Sequence, residues 1–387
     1  MRAVDLPKSA DVVVVGGGII GLTIARELAQ RQPDAKLVVI DKEPSVGAHA
    51  SSRNSGVLHA GFYYAAESLK ARLTRDGNRR LAAWCEEHGI PVRRCGKLVV
   101  ARSEAEHPVL DELLRRAHAN DVVLEDVSEE DAQRLEPNAR TVGRALYSPS
   151  TGLVDPRAVM SALADECARA GVHIATNTAW HAKHGEDVLT NRGAITAGFV
   201  VNAAGLHADR IAHAFGVGRR YRIVPFKGVY LYGNERAPEL RMHVYPVPEL
   251  GMPFLGVHLT LTVSGGVKIG PTAQPALWRE AYGPIWSREA LKTFSLRDLA
   301  GVIAPNMRLL ANASTRRYAW TEARKAFRSA LVRDAAMLAR GVTLDGFDRW
   351  GPPGIRAQLY DRERGELVMD FLYESDDRSL HVLNAEQ

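Results

Sequence analysis

Cysteine is nearly absent: Cys85, Cys95 and Cys167 are the only three in 387 residues. Their number is odd and they form neither a CxxC nor a Cys/His spacing, which argues against a disulfide framework or a zinc site. The setting expected from this is reducing and cytosolic. No run of about 18 apolar residues occurs, so no membrane span is expected. The first residues, MRAVDLPKSA, carry no apolar segment of signal-peptide type. The aromatic and basic motif of an RNA-binding module is missing too, and nucleic acid is not an expected partner. Repeats and low-complexity segments are absent. What remains is an ordinary globular mixture, 46% hydrophobic and 25% charged. At this length it suits two to three domain-sized units that bury roughly three quarters of their surface. The formal charge of +5 weakly favours an anionic substrate, cofactor or surface through the overall field.

The clearest pattern lies near the start. Val12 to Val15 are four consecutive β-branched residues, as in a strand buried on both faces of a parallel sheet. They run into Gly16, Gly17, Gly18, Ile19, Ile20 and Gly21, then into the helix-forming stretch LTIARELAQRQ. A second apolar strand, LVVI, ends at Asp41 and Lys42. Strand, glycine turn, helix, strand and acid stand in the order of a dinucleotide-binding unit. Gly16 permits the tight turn, Gly18 lets backbone approach a pyrophosphate, and Gly21 lets helix and sheet pack closely. The helix N-terminus presents free N–H groups to phosphate, and Asp41 is placed to accept from a ribose. The same turn in some other α/β protein would look alike over these residues alone.

The next segment, SSRNSGVLHAGFYY, is polar and contains Ser52, Arg53, Asn54, Ser55 and Gly56, where a nicotinamide enzyme would continue into plain sheet and helix. Here, and in the following Ser68 to Ala71, the chain resembles the L-2-hydroxyglutarate dehydrogenase/oxidase family of the D-amino-acid-oxidase-like FAD-dependent oxidoreductases. The phrases YPVP, PFLGVH and REAY farther along carry the same resemblance. It implies FAD and an α/β fold: a Rossmann-like FAD-binding domain beside an α+β substrate domain on an antiparallel sheet. The expected division assigns residues 1–90, 145–217 and 346–387 to the first and 91–144 and 218–345 to the second. It also implies that the polar loop follows the pyrophosphate and flavin ring, and that Ala203, Ala204 and Gly205 pass beside the cofactor. Arg356, in Gly354-Ile355-Arg356, matches the position whose guanidinium clamps the substrate carboxylate, a task its fork suits.

The implied reaction is oxidation of a small L-2-hydroxy acid, L-2-hydroxyglutarate to 2-oxoglutarate, by hydride transfer to flavin N5. Such chemistry requires a proton acceptor. His59 and His258 are the candidates, with the structural histidine as the bland alternative for each. Lys227, Tyr63, Tyr64 and Tyr245 are candidates for the distal carboxylate. An amine or amino-acid oxidase on the same fold is the rival enzyme reading. Two departures from the family are visible: Lys227 stands where Arg is usual, followed by Val229 where an acid is common. The chain also stops at Gln387, where relatives continue into a final flavin-facing helix, so a catalytically impaired flavin-fold protein is a further reading. Asp155 before Pro156 is expected to cap a helix, and Ser264-Gly265-Gly266 to turn a hairpin. Residues 287–340 are expected to be helical and basic. They form either a solvated face or a surface that meets an anionic membrane near a quinone pool, which would place a cytoplasmic protein peripherally at the inner membrane face.

Overall fold

The computed structural model describes residues 5–385 other than 251, 253, 254, 285 and 286. The first two residues of the PFLGVH phrase and the last two of the chain therefore lie outside the described residues. Strand Ser9–Val15 pairs in parallel with Leu37–Ile40 on one side and Gly193–Asn202 on the other. Its valines explain themselves by facing. Val12 and Val14 pack with Leu22, Ala25 and Met160 of the helices Ile19–Arg31 and Pro156–Arg169. Val13 and Val15 pack with Ile195, Val200 and Ile211 on the opposite side. A strand covered on both faces has no position for a polar residue, hence the unbroken apolar run. His173–Ala175 and Ser379–Asn384 extend this sheet in parallel. Asp155 caps its helix, accepting from Arg157 N at 2.9 Å with Pro156 in the first turn.

A second eight-stranded sheet runs in the order Phe347–Trp350, Leu231–Gly233, Val267–Gly270, His258–Leu261, His243–Pro246, Lys97–Val100, Arg144–Ser148 and Glu125–Ser128. Arg144–Ser148 straddles the division expected at 145, and Phe347–Trp350, just past the one expected at 346, also belongs to this sheet. The sheet is antiparallel except where His243–Pro246 lies parallel to Lys97–Val100. Its hairpin between His258–Leu261 and Val267–Gly270 turns at 262–266, where Gly265 adopts a φ of 93°. A third sheet is dominated by one long antiparallel ribbon, Tyr221–Gly228 against Gly354–Asp361. Helices Leu296–Ala311, Ala313–Arg324 and Arg328–Ala336 occupy most of the segment expected to be helical.

Candidate active site

The glycine turn is tight for reasons of volume. Gly16 has a φ of 112°, and a Cβ there would stand 2.4 Å from Ala203 O; a Cβ on Gly21 would stand 1.9 Å from Gly16 O. The ends of two strands and the first turn of the helix thus meet so closely that only hydrogen fits. The Asp41 carboxylate fixes the turn, accepting from Gly17 N at 2.7 Å and Glu43 N at 2.8 Å. The hydroxyl of Ser51 lies across the helix start and accepts from Ile19 N at 2.9 Å. A cradle that any Cβ would fill, opening on a helix N-terminus, fits the pyrophosphate of FAD.

The polar loop crosses from this cradle toward the second sheet. Arg53 donates to Ala48 O at 2.9 Å and stacks 4.4 Å over the Tyr282 ring. Its own carbonyl lies where a Cβ on Gly354 would come within 2.4 Å, so the Gly354 position locks the loop to the ribbon. Asn54 serves the loop itself: its carboxamide accepts from Gly56 N at 2.8 Å and donates to Ala50 O and Ser51 O. Gly56, with a φ of 78°, passes against Val154 O. Lys42 turns away to an ion pair with Glu280 at 2.9 Å and to Glu43. His49 bonds Glu43 and Tyr282, and His207 bonds Glu280.

Beyond the loop lies a cavity of about 410 Å³ where His59, Tyr63, Tyr230, Tyr245, His258 and Arg356 converge. Arg53, Asn54, Ser55, Tyr64 and Gly354 also border it. Lys227 is not brought there. Its register partner is Ile355, whereas Arg356 pairs with Phe226, so alternation turns Lys227 to the other face of the ribbon. Its ammonium donates to Gly283 O at 2.8 Å.

The cavity wall is deeply buried and holds its bases neutral. Burial, and next the positive field of Lys97, push both His59 and His258 well below the usual histidine range. His258 stacks on Tyr245 at 3.8 Å between centroids and 13° between planes. Its Nδ1 lies 3.0 Å from Gly256 O. A carbonyl only accepts, so Nδ1 carries the ring proton and Nε2 carries the lone pair. Two residues that sequence reasoning missed lie behind this wall. Lys97 is fully buried, and burial pushes its amine down to about 7. Lys268 donates to Ser55 O at 3.2 Å, and burial pushes it down to about 8. Ser51 was missed as well, although its place at the head of SSRNSG was a usable signal.

The family model for FAD dependent oxidoreductases matches residues 11–362. The chain is 35% identical over 402 residues to the mitochondrial L-2-hydroxyglutarate dehydrogenase of Bos taurus, covering 98% of this chain and 85% of that one. It is 32% identical over 389 residues to the L-2-hydroxyglutarate dehydrogenase of Escherichia coli strain K12, covering 97% and 88%. Among solved structures, FAD-bound L-alpha-glycerophosphate oxidase from Mycoplasma pneumoniae superposes with a TM-score of 0.73 at 21% identity over 97% of this chain and 89% of that one. Glycine oxidase from Geobacillus kaustophilus gives a TM-score of 0.70 at 22% identity, covering 96% and 88%. At these identities the two structures speak for the fold.

Proposed function

We propose, because the chain belongs to the FAD dependent oxidoreductase family, that it oxidises L-2-hydroxyglutarate to 2-oxoglutarate. The observation that carries this reading is a guanidinium, Arg356, sharing one cavity with a neutral imidazole, His258, whose lone pair is fixed on Nε2. Arg356 suits the carboxylate next to the hydroxyl, where its fork can bind both oxygens. His258 Nε2 takes the hydroxyl proton as the carbon–hydrogen bond breaks. Tyr245 holds the imidazole plane by stacking, so the base meets the hydroxyl in one orientation. FAD, held by Gly16 to Gly21, Ser51 and the Ala203 to Gly205 strand end, supplies the two-electron acceptor when bound. The pure protein is expected to be yellow and to bleach anaerobically with L-2-hydroxyglutarate but not with amino acids. Bleaching with amino acids alone would transfer the assignment to an amine oxidase.

For the electron acceptor we propose a quinone reached at a membrane surface, by a protein that is otherwise cytoplasmic. Leu291, Phe294, Leu296, Ile303, Trp320 and Phe327 are exposed on the helical segment, together with Arg297, Arg308, Arg316, Arg317 and Arg324. The acids between 291 and 327 are Asp298 and Glu322, and both are buried. An apolar and mainly cationic surface, on which Glu249 pairs with Arg317 at 3.6 Å, suits an anionic bilayer. Co-sedimentation with anionic vesicles, weakened by salt and by Trp320→Glu, is the expected result. Failure to sediment would remove the membrane from the proposal.

A further inference from the structure

Lys97 begins the strand Lys97–Val100 and has no side-chain exposure. Its Nζ lies 3.3 Å from His59 Nδ1. Three rings surround it, with centroids at 4.2 Å for Tyr245, 5.0 Å for Tyr63 and 5.6 Å for Phe62. Its ionisable neighbours are Cys95 just before its own strand, His59 and Tyr63 from the loop, His243 and Tyr245 from the parallel strand, and His258 beyond. Among these, only Cys95 acts in favour of its charged form, and no ion pair to Lys97 forms among the described residues. A buried amine without a carboxylate is expensive to maintain, so a purely structural explanation is poor.

The hydrogen-bond directions supply a better one. His258 has its ring proton on Nδ1, held by Gly256 O. His59 presents Nδ1 to the amine, and an amine donates in either charge state, whereas it accepts only when neutral. We propose that Lys97 is a positioning residue that makes the two cavity histidines opposites, donating to His59 Nδ1 so that His59 Nε2–H holds the substrate hydroxyl oxygen while His258 Nε2 accepts its proton. The proposal rests on the oxidation of a 2-hydroxy acid given above. The balance is complete: the hydroxyl proton ends on His258, the hydrogen on carbon 2 leaves with its electron pair to FAD, and the new carbonyl oxygen keeps its bond from His59. Lys97 also contributes positive field at His59, His243 and His258, in each case second to burial. Losing that charge lets His258 hold a proton to higher pH.

The test uses FAD-loaded Lys97→Met and Lys97→Gln, mixed anaerobically with L-2-hydroxyglutarate at a series of pH values. Glutamine keeps an N–H for His59 and loses the charge; methionine loses both. Flavin absorbance is expected to show both variants loaded like the wild type. The limiting bleaching rate is expected to fall by on the order of tenfold in Lys97→Met, one charged hydrogen bond's worth, and by less than about threefold in Lys97→Gln. The acid limb of the rate profile is expected at higher pH in both. Equal losses in the two variants, or an acid limb that stays where the wild type has it, would overturn the proposal. If only Lys97→Gln takes up FAD, its limb decides alone. A wild type that does not bleach fails the functional reading instead, so the two failures are distinguishable.

Discussion

Lys97→Met should make the protein more stable while making it a poorer enzyme. The amine has fallen from an ordinary 10.5 to about 7, so the unfolded chain binds more protons than the folded one between those two values. Stability therefore rises with pH across that window, and the burden is greatest below about pH 7. At about 1.4 kcal/mol for each tenfold, the wild type carries about 4 kcal/mol of destabilisation at neutral pH. Methionine is uncharged and fills the apolar part of the space. It forfeits the attraction of the Tyr245, Tyr63 and Phe62 rings for the protonated fraction, about 1 to 2 kcal/mol. The net gain expected is about 2 to 3 kcal/mol near pH 7, shrinking as the pH approaches 10.5. Urea unfolding of both proteins at equal FAD saturation, at neutral and alkaline pH, measures it. A less stable variant at neutral pH, or a difference that ignores pH, would refute the reasoning.

Gly21→Ala places a methyl where Gly16 O stands 1.9 Å away, and purified variant is expected to carry little or no FAD by absorbance; full loading would refute the tight-turn argument. Arg279 forms a two-pronged bond to Asp209 at 2.6 and 2.8 Å and reaches Asp298 at 3.1 Å, all three buried. Arg279→Met leaves the buried Asp209 without its guanidinium, while Asp298 keeps its ion pair with Arg210, and should cost about 3 to 5 kcal/mol in denaturant unfolding. His258→Asn is expected to slow bleaching by roughly a hundredfold or more with FAD retained, and an unchanged rate would take the base role from His258.

How much of this was legible depended on distance along the chain. The dinucleotide unit could be read because Val12 to Asp41 is one local pattern in which each spacing has a steric cause. His59, Tyr245, His258 and Arg356 were named separately, from phrases, and their convergence is a property of the sheet order that no local window contains. Lys97 and Lys268 were invisible for a physical reason. A lysine opening or interrupting an apolar strand normally faces solvent, and what buries Lys97 is the distant loop that brings His59, Phe62 and Tyr63 over it, together with Tyr245 of the parallel strand. Lys227 was read toward the substrate because alternation fixes which residues share a face, not which face meets the cavity. Asn54 looked available to a cofactor, but its carboxamide is taken up by the loop it shapes.

The same lysines predict how affinity and rate should part company with pH. Lys97 titrates near 7 and Lys268 near 8 because burial opposes their charge. A dianionic ligand in the adjoining cavity opposes burial, raising both values. Between those pH values, binding must then draw protons from solvent, and affinity for 2-oxoglutarate should fall as pH rises, while His258, pushed well below the usual histidine range and so already neutral there, keeps its rate. Calorimetric titration in two buffers of different ionisation enthalpy reads the proton uptake directly. Uptake that is absent in the wild type near pH 7.5, a value about midway between the two lysines, would mean that the ligand's charge is met by Arg356 alone and that the buried amines do not take part.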